Sequence, residues 1–467
     1  MRKAHFLQLL LALAVSSANT ALAQPPPKPG VGTAMTPLPP PPVVSDPMLA
    51  PVPPPKRVLS SWQEAITYLR ARSTDLRIAI DQVLQAESQT RIALAAYLPT
   101  VTGAGTYTHN LLTNALVTSI PGATPLTQRV PLPDTVNGNI QLQQALISVQ
   151  AFDQISINEL NTDAAKLSVE DEKRTLALSM ANQIVAVVTA ERSAEINRVG
   201  LKVALEQAEI TKRKQALGAA NGLDVVRADQ NAANARATLV TGDESLREAR
   251  EALGLTLGIP EETGVAPDVN VNGLAESTLS SCRAVQRLED RADVAASRTR
   301  LEVAKRNLRN VYFQFLPTLG AQSTIYATGN PIVGYPNPTW NIQGVLSVPI
   351  WDGGNRYGLL MSARAAEDTA AQQLEALRRQ AIIQVEQAQR QLLVAETTDR
   401  VAREQRDLAA QNDQMTQTAY MAGQGTSLEL VTASEAHRQA ELNLALQDFG
   451  VVKARVLAVL ALATCPW

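Results

Sequence analysis

The residues that could do chemistry in this chain are few and scattered. Its three histidines are His5, His109 and His437. Only His437 has a companion at useful spacing, Glu441, one helical turn on. Zinc sites converge three or four ligands, so the pair is read as a solvated helical contact, and no metal is expected. Gly423-Gln424-Gly425-Thr426-Ser427 has the glycines of a phosphate-binding loop but lacks its lysine, which makes it a helical turn. Asp352-Gly353-Gly354-Asn355 lacks the further carboxylates of a calcium loop and reads as a strand-to-helix turn. No nucleophile stands beside a base that could activate it. The chemistry points away from an enzyme and away from any cofactor.

What the sequence does carry is a duplication. A helical run ends at Tyr97-Leu98-Pro99-Thr100 and gives way to alternating, threonine-rich sequence. About two hundred residues later Phe315-Leu316-Pro317-Thr318 does the same. Gln144-Ala145-Leu146-Ile147-Ser148 is answered by Val348-Pro349-Ile350-Trp351-Asp352, and Gly218 to Val226 by Gly423 to Val431. Each copy therefore holds a helix, two strands, a very long helix and a return helix, over residues 59–258 and 281–467, with a belt segment at 259–280 between them.

Helical spacing covers Trp62 to Tyr97, capped by Ser61 with Glu64 as its capping-box partner, and Ser281 to Phe315. A proline after each leucine stops the helix. Val101 to Tyr107, Asn139 to Leu146, Thr318 to Gly329 and Trp340 to Ile350 alternate with period two and read as strands, each with one apolar and one polar face. Asn110 to Val136 and Asn330 to Pro338 read as loops. The long helices, Val149 to Leu217 and a second ending at Gly423, keep three-four apolar spacing over roughly 70 residues, about 100 Å of rod. Shorter helices return over Leu223–Leu257 and Leu428–Leu462. Two short helices stacked end to end match one long one.

The head Met1-Arg2-Lys3, an apolar stretch from Phe6 to Val15 and Ala21-Leu22-Ala23 read as a secretory signal over residues 1–23. Residues 24–58 form a tether: 14 of the chain's 27 prolines fall between Pro25 and Pro55, which favours an extended spacer without a core, or a partner-binding tail. No later stretch is apolar for the 18 or so residues that a spanning helix needs. A formal net charge of −2 excludes a nucleic-acid surface. Four strands cannot close a barrel in lipid, whereas three chains would supply about twelve; a homotrimer follows if the strands meet outer-membrane lipid. Ile140, Leu142, Leu146, Ile342, Leu346 and Val348 are then expected on lipid, with Gln141, Gln143 and Gln343 lining a duct.

Arg291-Ala292-Asp293-Val294 leading to Phe315-Leu316-Pro317, Val348-Pro349-Ile350-Trp351-Asp352-Gly353-Gly354 and Tyr420-Met421-Ala422-Gly423-Gln424-Gly425-Thr426-Ser427-Leu428-Glu429-Leu430-Val431, with their first-copy counterparts, resemble the TolC-like outer-membrane efflux proteins. The resemblance implies a mainly α, mixed α and β fold: a trimeric 12-stranded outer-membrane β-barrel, four strands per chain, continued by an α-helical coiled-coil barrel across the periplasm of a Gram-negative bacterium. It implies a passive exit duct served by a periplasmic adaptor and an inner-membrane transporter. The turns at Gly218, Gly222, Gly423, Gly425, Thr426 and Ser427 would dock the adaptor. Asp224 and Tyr420 resemble the family's acidic and tyrosine links at the aperture and are expected to hydrogen-bond within one protomer. Glu429 resembles the first acid of a constricting ring. Gly425 replaces a locking arginine and Thr432 a second acid. The rival class is a trimeric coiled-coil surface protein or adhesin that conducts nothing.

The cysteines are the last expectation. With Cys282 at the start of the helix after the belt and Cys465 past the end of the final helix, stacked helices put both at one height, where an oxidising compartment permits a disulfide. Two free, partly buried thiols are the other possibility.

Overall fold

The structure, a computed structural model, describes residues 42–111, 113–118, 126–131, 134–267, 269–331, 334 and 336–467. The signal at 1–23 and the first part of the tether lie outside these. Val44–Trp467 forms one unit.

The unit opens with β1 (Arg57–Leu59), α1 (Trp62–Arg72) and α2 (Thr74–Ala95). One continuous helix to Tyr97 was expected; Ser73 breaks it, because its extended backbone lets its hydroxyl cap the Leu76 amide. Strand β2 (Thr100–Thr108) follows, then β3 (Thr113–Thr118) and β4 (Leu126–Pro131), which pair with each other inside the span expected to be loop, and β5 (Thr135–Ile147). Helix α3 (Val149–Ala216) has 68 residues and α4 (Gly222–Thr256) returns along it. The belt contains β6 (Thr263–Val265), α5 (Leu274–Leu279) and β7 (Arg283–Ala284). The second copy begins with α6 (Ala292–Phe313), so the expected start at Ser281 is eleven residues early. Ser281 to Arg291 instead continues the belt through β7 and a short 3-10 turn. Then come β8 (Thr318–Thr328), β9 (Thr339–Ser347), α7 (Asn355–Met421, 67 residues), α8 (Ser427–Leu460) and β10 (Ala463–Thr464).

The duplication survives in the lengths. Helices α2 and α6 both have 22 residues, and α4 and α8 have 35 and 34. Helix α3 packs on α2 and α4 along its own side and on α6 and α8 across the repeat, while α7 packs, among the described residues, mainly on α6 and α8, with Arg378 reaching Glu289 of the short 3-10 turn before α6. This makes α3 the centre of the layer and α7 an edge. On α7, Val394, Val401, Leu408 and Met415 recur every seven residues and are 60%, 56%, 59% and 72% exposed, a coiled-coil seam that no described residue covers.

Four strands form one antiparallel sheet in the order β2-β5-β8-β9. The register puts Val101, Tyr107, Val136, Ile140, Leu142, Ile325, Trp340, Ile342 and Leu346 on one face, and threonines, asparagines and glutamines dominate the other. The expected faces of Ile140, Leu142, Ile342 and Leu346 agree with this register. At the end of β5 a bulge disturbs the alternation: Leu146 has no partner and Ile147 stands opposite Leu319. Val348 lies beyond β9, which ends at Ser347.

The belt ties the copies together. Strand β1 pairs in parallel with β6, and β7 pairs with β10 at the C-terminus. Leu59, Trp62, Leu69, Met180, Ile184, Leu253, Val456, Leu460 and Trp467 share one buried cluster. Trp62 donates its indole N–H to Ser281 Oγ at 2.8 Å. Cys282 and Cys465 are joined, with Cα atoms 4.1 Å apart. The end of the tether is not a free spacer. Asp46 pairs with Arg236 of α4, Arg250 donates to the Pro53 carbonyl at 3.0 Å and to Glu191, and Pro55 lies on Gly264. Proline has no N–H to donate, and here the Pro53 carbonyl serves as acceptor for the long Arg250 side chain.

Candidate functional site

The two hairpin tips are built alike. Helix α3 ends where Gly218 takes φ +74°, which lets the Ala219 amide reach back to the Lys214 carbonyl at 2.8 Å. Helix α7 ends where Gly423 takes φ +76° and the Gln424 amide reaches the Ala419 carbonyl at 2.9 Å. A left-handed residue at each site is what glycine supplies. Asn221 then caps α4 and Thr426 caps α8.

These caps consume the acids expected at the aperture. The Asp224 amide donates to Asn221 Oδ1 at 2.9 Å, while the Asn221 amide donates to Asp224 Oδ2 at 3.3 Å. The Glu429 amide donates to Thr426 Oγ1 at 3.2 Å, and the Thr426 amide to Glu429 Oε2 at 2.8 Å. Asp224 and Glu429 are thus the same residue of the repeat, the acid of a capping box. The Thr426 amide, and then its hydroxyl, hold the Glu429 carboxyl below the usual glutamate range.

The structure does not bring Asp224 to Tyr420 within the chain. The nearest charged group to Asp224 is Arg227, at 3.9 Å. Tyr420 is buried and receives Lys214 instead: Nζ lies 3.6 Å from the ring centroid and donates to the Tyr420 carbonyl at 3.0 Å. Burial pushes the Lys214 ammonium below the usual lysine range, so part of the attraction is offset by lost hydration. The Tyr420 hydroxyl is buried and has no hydrogen-bond partner among the described residues. Lys214 was not singled out in the sequence. Its signal was weak, a basic residue in the last turn of α3 and so one that favours the helix dipole.

A second tie lies further up the rods. Gln207 of α3 donates to Ser434 Oγ at 3.1 Å, and Ser434 donates to Asp413 Oδ1 of α7 at 3.0 Å. His437 Nδ1 is 3.1 Å from Asp413 Oδ2, and its Nε2 is 3.7 Å from Glu441. His437 is therefore part of a three-helix polar network, and the expected solvated pair with Glu441 is only its outer half. Among the described residues no cluster of three or more histidines, cysteines and acids could hold a metal. Arg438 donates to Asn197 Oδ1 of α3 at 3.0 Å.

Two long helical hairpins, duplicated, carrying a four-stranded sheet whose exposed apolar face suits lipid, define a channel of the kind that continues an outer-membrane barrel with helices. No helix among the described residues is long and apolar enough to cross a membrane. The chain belongs to the outer membrane efflux protein family, whose profile matches residues 65–259 and 284–456. It is 25% identical over 410 residues to nodulation protein T of Rhizobium leguminosarum bv. trifolii, covering 84% of this chain and 83% of that one. Its fold is that of the outer membrane protein VceC of Vibrio cholerae (TM-score 0.70, 19% identity, 86% of this chain and 95% of that one). It also matches the CmeC outer membrane channel of Campylobacter jejuni (TM-score 0.71, 14% identity, 91% and 93%). The protein is an outer-membrane exit duct for efflux and extends into the periplasm.

Proposed function

We propose that three copies close the duct and that it passes small molecules delivered by an inner-membrane transporter through a periplasmic adaptor, without catalysis of its own. The observation that carries this reading is the sheet: four antiparallel strands with one apolar and one polar face, whose edge strands β2 and β9 have no further partner among the described residues. Open edges in lipid leave donors and acceptors unpaired. Twelve strands from three copies remove them. The unpartnered heptad seam of α7 supports the same closure in the helical section, where it would meet the next copy's α4 edge.

Under this reading the tips at Gly218–Gly222 and Gly423–Ser427 face the adaptor, and Lys214 on Tyr420 ties the first hairpin to the second. Asp224 and Glu429 shape the tips and also present acidic charge there. The purified protein in detergent should have the mass of a trimer, and cells lacking it should accumulate a fluorescent amphiphilic dye that the wild-type protein clears. A monomeric protein, or unchanged dye accumulation on deletion, would count against the proposal.

A further inference from the structure

Four helices meet around a polar cleft above the hairpin tips, and passage along the duct makes no use of it. The cleft has a volume of about 230 Å³, and α3, α4, α7 and α8 all contribute to its lining. Val203 and Ala204 of α3 and Ala235 of α4 give it an apolar wall. The opposite wall carries Gln207, Asp413, Ser434, His437 and Glu441.

The polar wall is a chain of hydrogen bonds with a fixed direction. A carboxylate only accepts, so Ser434 spends its hydroxyl proton on Asp413 Oδ1 at 3.0 Å. The Ser434 oxygen then accepts from Gln207 Nε2 at 3.1 Å. This sets which way the Gln207 carboxamide points and leaves its Oε1 as the free end. Gln207 is 8% exposed, and Oε1 is buried without a hydrogen-bond partner among the described residues. A buried carbonyl left without a donor is costly, so this one calls for an N–H or O–H from outside the protein.

The same logic runs through His437. Asp413 Oδ2 accepts, so the Nδ1 lying 3.1 Å from it carries a proton. In the neutral ring Nε2 is then an acceptor as well. It faces the Glu441 carboxylate at 3.7 Å, two acceptors too far apart to bond and with room for a donor between them. Gln417 does not relieve the deficit, because its amide donates to Asp413, at 3.2 Å.

The arginine of the lining is already engaged. Arg438 donates from Nε to Glu435 at 3.1 Å, from a second nitrogen to the same carboxylate, and from a third to Asn197 Oδ1 at 3.0 Å. Gly200 leaves room for this crossing, since a Cβ there would collide with the Arg438 side chain. Arg438 and Glu435 cancel, which leaves Asp413 and Glu441 as the uncompensated charges of the cleft.

We infer that this cleft binds a small organic ammonium: its N–H groups satisfy Gln207 Oε1 and Glu441, and its short alkyl tail lies on Val203, Ala204 and Ala235. The occupant has to bring both positive charge and several donors. An alcohol brings one donor and no charge, and a carboxylate is repelled by Asp413 and Glu441. Bound there, the ammonium links α3 to α8 beside the tie that Ser434 already makes. The cleft lies within one chain, so the inference goes beyond the exit-duct reading and does not depend on it.

The test titrates n-butylammonium into the full-length protein in detergent by calorimetry, with detergent alone as the blank. Tetramethylammonium, equal in charge but without an N–H, and n-butanol are the comparison probes. Saturable binding of n-butylammonium is expected, with tetramethylammonium and n-butanol each weaker by about tenfold or more, the scale of a hydrogen bond that involves a charged group. Gln207→Leu and, separately, Glu441→Gln should each weaken n-butylammonium by about tenfold. Glu441 is 40% exposed, so its substitution tests the site even if the buried glutamine proves necessary for folding. No saturable binding to the wild-type protein, equal binding of tetramethylammonium, or unchanged affinity in the Glu441→Gln variant overturns the inference. Trimer mass and dye clearance are read in separate experiments, so each of these failures leaves the exit-duct reading standing.

Discussion

Replacing Lys214 with alanine removes the one charged contact that, among the described residues, joins the two hairpins at their tips. Two interactions go together: the ammonium over the Tyr420 ring at 3.6 Å and the hydrogen bond to the Tyr420 carbonyl at 3.0 Å. A cation over an aromatic face contributes about 0.5–2 kcal/mol depending on how dry the site is. Lys214 is half-buried and its ammonium is disfavoured by that burial, which offsets part of the gain, so about 1 kcal/mol per chain is a fair figure. Three chains closing together would lose about 3 kcal/mol, on the order of a hundredfold in the closed-to-open ratio at about 1.4 kcal/mol per decade. The assay is single-channel recording of the purified protein in planar bilayers, with Lys214→Arg as the conservative partner. Open probability should rise steeply for alanine and far less for arginine, which keeps charge and stacking. Equal gating in wild type, Lys214→Ala and Lys214→Arg would refute the reasoning.

Three further outcomes follow from the geometry. Leu408→Glu on the exposed α7 seam should cost about 1.5–3 kcal/mol of apolar burial per copy and shift the protein from trimer toward monomer on native gels; an unshifted trimer would place the seam outside the interface. The Glu429 carboxyl is depressed in the folded state, so the stability it lends is present above the usual glutamate range and lost as pH falls below it. Amide exchange at the start of α8, corrected for intrinsic rates, should therefore accelerate below about pH 4 in wild type and show no such step in Glu429→Gln. Thiol titration of the denatured, unreduced protein should find no free thiol, and Cys282→Ser with Cys465→Ser should lower stability by about 2–4 kcal/mol, since the bond closes a loop with a sequence separation of 183 residues.

The architecture was legible because it is repetitive. Period-two alternation located β2, β5, β8 and β9, and the glycines at 218 and 423 marked the ends of the long helices to within two residues. What was not legible depends on contacts distant in sequence. Ser73 interrupts a continuous helical pattern with a single cap, and Ser281 to Arg291 looks helical in isolation yet is held by β10 and the C-terminus. The site was harder still. Asp224 and Glu429 sit where the family resemblance put an aperture acid, but the same spacing makes a capping box, and sequence cannot weigh one use against the other. Lys214 and Asp413 act across helices 206 residues distant in the chain (420 − 214 and 413 − 207), respectively on Tyr420 and in the network that reaches Gln207. No local pattern reports such a meeting.

The central claim is that this chain forms a water-filled path through the outer membrane. Conductance of the purified protein in a planar bilayer tests it most directly, with Lys214→Ala recorded beside wild type so that a closed aperture is not mistaken for a missing pore. Discrete, ohmic steps are predicted in both, longer-lived in the variant. Intact trimers of both proteins that insert yet pass no current would contradict the account.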